Sequence, residues 1–264
     1  MLKATRVSKG FAGKSVLTDL TLVCATGQTT VLLGQSGCGK STLLRLFMGL
    51  LWPDSGAIEI AGTLVTETNA RSLRRDIGYV TQDGGLFPHL TVRDNILLAA
   101  RYFKVEPAAQ CQIQPLFAMT KLSPELLGRF PCELSGGQRQ RVSLIRALIL
   151  DPSIVLLDEP MGALDPMIHR ELQEDLKIIF STLRKTVVLV THDVSEAAFL
   201  GEKIIMLNQG AIVQEGSFAD LSQKSKEPFV VAFLAAQRSV AWPNEQATTV
   251  TAKKAVEQGA RHDH

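Results

Sequence analysis

Thr29-Thr30-Val31-Leu32-Leu33-Gly34-Gln35-Ser36-Gly37-Cys38-Gly39-Lys40-Ser41-Thr42, followed by Leu43-Leu44-Arg45-Leu46-Phe47-Met48, is the stretch that decides the fold. An apolar run of strand type ends at a glycine-rich turn, and an apolar helical run follows it. Residues 34–42 fit GxxxxGK[ST]. Glycines there let backbone N–H groups converge on phosphate oxygens, and the start of the next helix adds positive potential. Lys40 would reach the β- and γ-phosphates, and the Ser41 hydroxyl would ligate Mg²⁺. Gln35, Ser36, Cys38 and Thr42 complete the loop. Cys38 is read as a small residue filling a tight turn.

Downstream, Ile154-Val155-Leu156-Leu157 and Thr186-Val187-Val188-Leu189-Val190 are continuous apolar runs, as expected of parallel strands covered on both faces. Residues 171–183 between them read as the crossover helix. Asp158 and Glu159 end the first run. Ligands of open parallel sheets collect at strand C-termini, so both carboxylates are expected in the crevice that holds the loop. Asp158 suits an Mg²⁺ ligand. Glu159 suits a base that polarises an attacking water.

The remaining segments surround this core. Residues 1–30 read as antiparallel strands, with β-prone runs at Val16-Leu17 and Leu20-Thr21-Leu22-Val23. Trp52-Pro53-Asp54-Ser55-Gly56 is a breaker cluster before the strand run Ala57-Ile58-Glu59-Ile60. Residues 83–150 turn helical and read as a subdomain inserted into the α/β core. Thr91 caps one predicted helix. Ser135 caps another, with Val142, Ile145, Leu148 and Ile149 as its apolar stripe. Ile204–Leu207 and Ala211–Val213, joined by Asn208-Gln209-Gly210, read as a hairpin. The expected architecture is an α/β P-loop core with a mainly parallel sheet, an N-terminal antiparallel β subdomain and the helical insertion. It occupies residues 1–240. Residues 241–264 are polar, lose periodicity and read as a flexible tail, His262-Asp263-His264 included.

Leu134-Ser135-Gly136-Gly137-Gln138 narrows the function. A hydroxyl and bare backbone amides at a helix start make an anion site. The competing reading is a plain helix cap. A second phosphate site within one domain would be redundant, so this one is read as serving a nucleotide held by another subunit. A two-fold dimer makes such composite sites in pairs. A small-molecule P-loop kinase would lack the motif.

Bulk properties agree. The chain has 264 residues, 45% of them hydrophobic, and a net charge of +2, which is too small for a strongly basic nucleic-acid surface. No run approaches the ~18 apolar residues of a membrane-spanning helix, and residues 1–6 lack a secretory signal's apolar core. Cys24, Cys38, Cys111 and Cys132 form no CxxC pair, which argues against a zinc site or a disulfide framework.

The loop, Leu134–Arg141 and Leu156-Leu157-Asp158-Glu159-Pro160 together resemble the ATP-binding subunits of ABC transporters, over about residues 2–237. The resemblance implies an ATPase with ATP and Mg²⁺ as cofactors, acting as a sandwich of two copies. Ser135, Gly136, Gly137 and Gln138 would then contact ATP across the seam. It implies an adenine-stacking role for Phe11, where the family often has tyrosine or tryptophan. Gln82, after Ile77-Gly78-Tyr79-Val80-Thr81, would sense Mg²⁺ and water. Ala163-Leu164-Asp165 would cross the seam, and His192 would be the switch histidine at the γ-phosphate. Gln82–Val92 and Met161–Pro166 are similar to bacterial importers of glycine betaine, choline or carnitine. A polar amino acid importer is the nearest alternative. Some such subunits carry C-terminal regulatory domains, which this chain is expected to lack. Partners would be transmembrane permease subunits, a second copy of the chain and, indirectly, a substrate-binding protein, with no nucleic acid. The location would be peripheral, on the cytoplasmic face of the inner membrane. A soluble ABC ATPase acting on DNA or ribosomes is disfavoured. Such proteins typically have two cassettes, a zinc module or a long coiled-coil insertion. The Asp83–His89 turn, with two glycines, a Phe and a Pro, is expected to form a shallow cleft for a permease helix.

Overall fold

The computed structural model describes residues 1–162 and 165–241. In chain order the elements begin with β1 (Leu2–Phe11), β2 (Lys14–Cys24), β3 (Thr29–Leu33), α1 (Lys40–Phe47), β4 (Ser55–Ile60), β5 (Thr63–Leu64), α2 (Ala70–Leu73) and β6 (Ile77–Val80). Then come α3 (Val92–Tyr102), α4 (Glu106–Met119), α5 (Gly136–Leu148), β7 (Ile154–Asp158), α6 (Pro166–Leu183) and β8 (Thr186–Thr191). The last are α7 (Val194–Leu200), β9 (Lys203–Asn208), β10 (Ala211–Gly216), α8 (Phe218–Gln223) and α9 (Pro228–Ala241).

Two sheets form. The first is antiparallel, in the order β2-β1-β4-β5. The second runs β10-β9-β3-β8-β7-β6, parallel except for the β9–β10 hairpin. Its central strands β3, β7 and β8 are buried almost throughout because both faces are covered. Val31, Leu33, Val155, Leu157, Val187 and Leu189 enter one core cluster, which also holds α3, α4, α5 and α6 side chains. Leu32, Ile154, Leu156, Val188 and Val190 enter the other, with α1 and the antiparallel sheet. The period-two alternation of a strand thus divides one apolar run between two layers. Each fully buried aliphatic side chain contributes roughly 1.5–3 kcal/mol.

Register positions the site. Leu33 lies opposite Thr191, and Asp158 opposite Val190. The residues that follow these strand ends, Gly34, Glu159 and His192, therefore emerge together at one edge of the sheet.

The helices α3, α4 and α5 lie between the adjacent parallel strands β6 and β7. Thr91 caps α3 by accepting from Asp94 N. The α6 helix begins at Pro166, five residues before the start read from periodicity. The Asp165 carboxylate accepts from Met167 N and Ile168 N, and proline suits the first helical position. No helix among the described residues is long and apolar enough to cross a membrane. The expected tail from Trp242, with His262-Asp263-His264, lies outside the described residues, as do Ala163 and Leu164.

Candidate functional site

The loop at residues 34–39 is shaped by its glycines. Gly37 has φ +79° and Gly39 φ +106°, in the left-handed region that disfavours side chains. A β-carbon on Gly34 would lie 2.3 Å from Leu207 O, so the loop can pack there only without one. Cys38 is buried, and its Sγ fills the turn beside Gly34. The α1 helix starts at Lys40 with Gly39 as N-cap and no side-chain cap. Its first N–H groups are thereby left for an outside acceptor, and an anion is the acceptor that the helix start favours. Lys40 is 4% exposed, and its Nζ donates to Gly34 O (2.8 Å) and Gln35 O (2.9 Å). The ammonium thus spans the concave side of the loop.

Ser41 Oγ donates to Asp158 Oδ1 at 2.8 Å. The Tyr79 hydroxyl lies 3.4 Å from Asp158 Oδ2. Burial and the Asp158 charge push Tyr79 up to about 12, so it stays a donor at neutral pH. A hydroxyl and a carboxylate at this spacing are hard oxygen donors. They fit Mg²⁺, which takes one or two protein ligands and fills its remaining positions with phosphate and water.

Glu159 adopts φ +46°, unusual for a residue with a β-carbon. Its N–H donates to Val190 O (3.0 Å), and its carbonyl accepts from Gly162 N (3.2 Å). These two bonds hold the strained turn and aim the side chain along the sheet edge. Glu159 Oε2 lies 3.2 Å from His192 Nδ1. Gln82 Nε2 and Glu159 Oε2 both flank Gly162, at 3.6 and 3.7 Å from where its β-carbon would be. His192, Gln35 and Ser36 line one cavity of about 530 Å³ with Phe229, Phe233 and Gln237 of α9. The structure therefore gathers loop, acid, amide and histidine at one edge.

Other sequence candidates stand apart or serve a local role. Phe11 is 45% exposed at the tip of the β1–β2 hairpin, with Lys9 Nζ 5.4 Å from its ring centroid. The second strand of that hairpin abuts the phosphate loop, since a β-carbon on Gly39 would meet Leu17 and Val16 O. Ser135 and Gln138 form a reciprocal capping box on α5: Gln138 N donates to Ser135 Oγ (3.2 Å) and Ser135 N to Gln138 Oε1 (2.9 Å). The helix-cap reading of Ser135 is thus realised, and the cap presents Gly136 at an exposed helix start. Asp165 is spent on the α6 cap.

Three holding residues have no signal in the sequence. Arg146 of α5 donates to Gly84 O (2.8 Å) and Gly85 O (2.7 Å), and burial lowers its guanidinium from the ordinary value. Asn95, fully buried in α3, accepts from Phe87 N and donates to the carbonyls of Phe87, Leu90 and Thr91. Together they fix the turn after Gln82. Gln237 Nε2 donates to His192 O at 3.0 Å, so α9 holds the backbone of the histidine loop. An arginine at the eleventh position of a helix, or a lone Gln near a terminus, gives no pattern that separates it from a solvated side chain.

The turn also borders a groove of about 950 Å³. Phe87, Leu98, Tyr102 and Phe103 form its apolar wall, and Arg71, Arg74 and Arg75 its basic rim.

Residues 17–162 match the family described as ABC transporter. The glycine betaine/carnitine/choline transport ATP-binding protein OpuCA of Bacillus subtilis (strain 168) is 41% identical over 242 residues, 91% of this chain and 64% of the relative. The chain thus spans less than two thirds of that relative's length. The sulfate/thiosulfate import ATP-binding protein CysA of Synechococcus elongatus is also 41% identical, over 88% of this chain and 67% of the relative. Among solved structures, the dimeric ATP-binding cassette MJ0796 bound to ADP and Pi superposes with a TM-score of 0.72 at 32% identity, covering 83% of this chain and 99% of that one. With phosphate loop, strand-end acids and sheet-edge histidine converging as described, and with these matches, the chain belongs to the ABC transporter family.

Proposed function

We propose that this chain is an ATP-hydrolysing subunit that powers import of a small solute, a quaternary-amine osmoprotectant, through a membrane permease at the cytoplasmic face of the membrane. The observation that carries the reading is the Glu159–His192 contact beside the Lys40 loop and the Ser41–Asp158 pair. Backbone N–H groups of residues 35–42 and the Lys40 ammonium bind the β- and γ-phosphates. Ser41, Asp158 and Gln82 would hold Mg²⁺. When bound, the ion neutralises charge on the phosphate oxygens. Glu159 accepts the proton of the attacking water as the terminal P–O bond breaks, giving ADP and phosphate, and His192 holds the carboxylate in place. Phe11 stacks on the base.

Ser135, Gly136, Gly137 and Gln138, with Asp165, complete the site of a second copy. The dimeric state of the MJ0796 cassette supports that arrangement. The apolar, arginine-rimmed groove supports docking of a permease helix against Phe87, and it disfavours a soluble role. On this reading residues 1–240 are one ATPase unit with residues 83–150 inserted. The OpuCA relative supports a quaternary-amine cargo. The equally identical CysA relative makes cargo a matter for direct measurement.

The test is uptake by vesicles containing this chain together with permease subunits and a substrate-binding protein from the same organism. Labelled glycine betaine, choline, a polar amino acid and sulfate are offered in turn. ATP-dependent uptake of the quaternary amines, lost with Lys40→Ala, is expected. Uptake of sulfate or amino acid alone refutes the cargo, and absence of ATPase activity refutes the enzyme.

A further inference from the structure

The backbone that carries His192 is gripped from behind by α9. Gln237 of that helix lies 45 residues further along the chain, and its side-chain amide meets the backbone on both sides of Asp193. Its Nε2 donates to His192 O at 3.0 Å, and its Oε1 accepts from Val194 N at 3.5 Å. An amide has one donor end and one acceptor end. Each end here meets its complement, so the two partners fix which way the group points.

The grip complements the local caps. The Asp193 carboxylate, at the N-cap of α7, accepts from Ser195 N and Glu196 N. The Thr191 hydroxyl accepts from Asp193 N. Gln237 takes the two groups that these caps do not reach, the first helical N–H of α7 and the His192 carbonyl. The helix that presents Gln237 is itself seated. Val230, Phe233 and Leu234 are buried in the same core cluster as Val194 and Ala197 of α7. Close packing does not fix His192 in the same way. Its side chain is 51% exposed, and with Gln237 it lines the cavity of about 530 Å³ beside Gln35 and Ser36 of the phosphate loop. A loop beside open space has room to shift. The ring at its end must still meet Glu159 Oε2 at 3.2 Å, a contact that weakens steeply once distance or angle is lost.

We propose that Gln237 is a positioning residue for hydrolysis, which holds the backbone of residues 192–194 so that the His192 ring stays on Glu159 and faces the terminal phosphate. It acts through His192 alone. Lys40 and the loop backbone bind the phosphates, so loss of Gln237 falls on turnover and spares ATP binding. The kinetic part of the proposal rests on the ATPase reading.

Two substitutions in the full chain test it. Gln237→Met keeps an unbranched side chain of similar length and removes both polar ends. Gln237→Glu keeps the acceptor for Val194 N and sets a carboxylate against His192 O. Both should lower kcat by about five- to tenfold, the rate equivalent of a lost hydrogen bond, with KM for ATP within about twofold of the parent. Added to His192→Ala, Gln237→Met should cause no further loss in single-turnover rate, because the two residues act as a unit. NMR of ring-labelled histidine in the nucleotide-free chain needs no hydrolysis. The His192 signals, identified by their loss in His192→Ala, should shift in both Gln237 variants while those of His89 stay in place. This readout separates failure of the grip from failure of the ATPase reading. If Gln237→Met does not fold, Gln237→Glu carries the same kinetic and NMR measurements. Unmoved His192 signals in a folded variant overturn the proposal. So does an unchanged kcat, or a loss that adds in full to that of His192→Ala.

Discussion

Gly137, in the first turn of α5, lies against Ile168, in the first turn of α6: a β-carbon on Gly137 would sit 2.6 Å from Ile168 Cγ2. The glycine that the sequence offers as bare backbone for a phosphate also has a packing reason within one chain. Ile168 is β-branched and half-buried, so it cannot easily swing away. Gly137→Asp is therefore expected to lower stability by about 1–3 kcal/mol, measured by urea unfolding. Ser135→Ala is the cleaner probe of the seam. It should cost about 1 kcal/mol as a lost cap, spare ATP affinity of the monomer, and abolish turnover. Equal loss of monomer affinity with Lys40→Ala and Ser135→Ala would show that residues 135–138 do not act in trans.

Glu159→Gln keeps the shape of the side chain and its contact with His192 but removes the base. Hydrolysis should fall by about 10²–10⁴-fold while ATP binding persists, so ATP should drive the variant into dimers. Sedimentation in the presence of ATP and Mg²⁺ decides this, and a variant that stays monomeric would exclude the two-copy sandwich.

Phe11 is exposed at a hairpin tip, with Lys9 over its ring. Phe11→Ala should weaken nucleotide binding by about 1–2 kcal/mol if the ring stacks on the base. Stacking tolerates base identity, so GTP should also be accepted. Calorimetric titration checks both, and an unchanged dissociation constant would assign the ring to the protein surface alone.

The groove is best probed at Phe87. Gly85 has φ +54°, and a β-carbon there would lie 2.6 Å from Thr81 Oγ1, so a bulky residue at Gly85 would strain the turn after Gln82. Phe87 lines the groove and is 44% exposed. Phe87→Ala should leave ATPase activity of the isolated chain intact and cut transport and permease-stimulated hydrolysis in vesicles. Full transport at normal expression would remove the groove from coupling.

Some of this was legible before any fold was known. Phosphate loops, strand-end acids and capped helices are local: a few adjacent residues fix both the backbone and the chemistry. The apolar runs at 154–157 and 186–190 announced parallel strands because burial on both faces leaves few polar positions. Resemblance carried Gln82, Asp165, His192 and Phe11, for which local chemistry alone left open an ordinary cap or core role.

Tertiary structure decided what depends on residues far apart in sequence. Sheet register, which pairs Leu33 with Thr191 and Asp158 with Val190, brings Gly34, Glu159 and His192 to one edge. No run of sequence encodes that order of strands. The same holds for Arg146 on the turn at Gly84 and Gly85 and for Gln237 on the histidine loop. Each is a single polar side chain whose meaning comes from a partner 45 to 62 residues away. Hydrogen bonds and ion pairs act over about 3 Å, so only the packed chain determines which of its many polar groups meet.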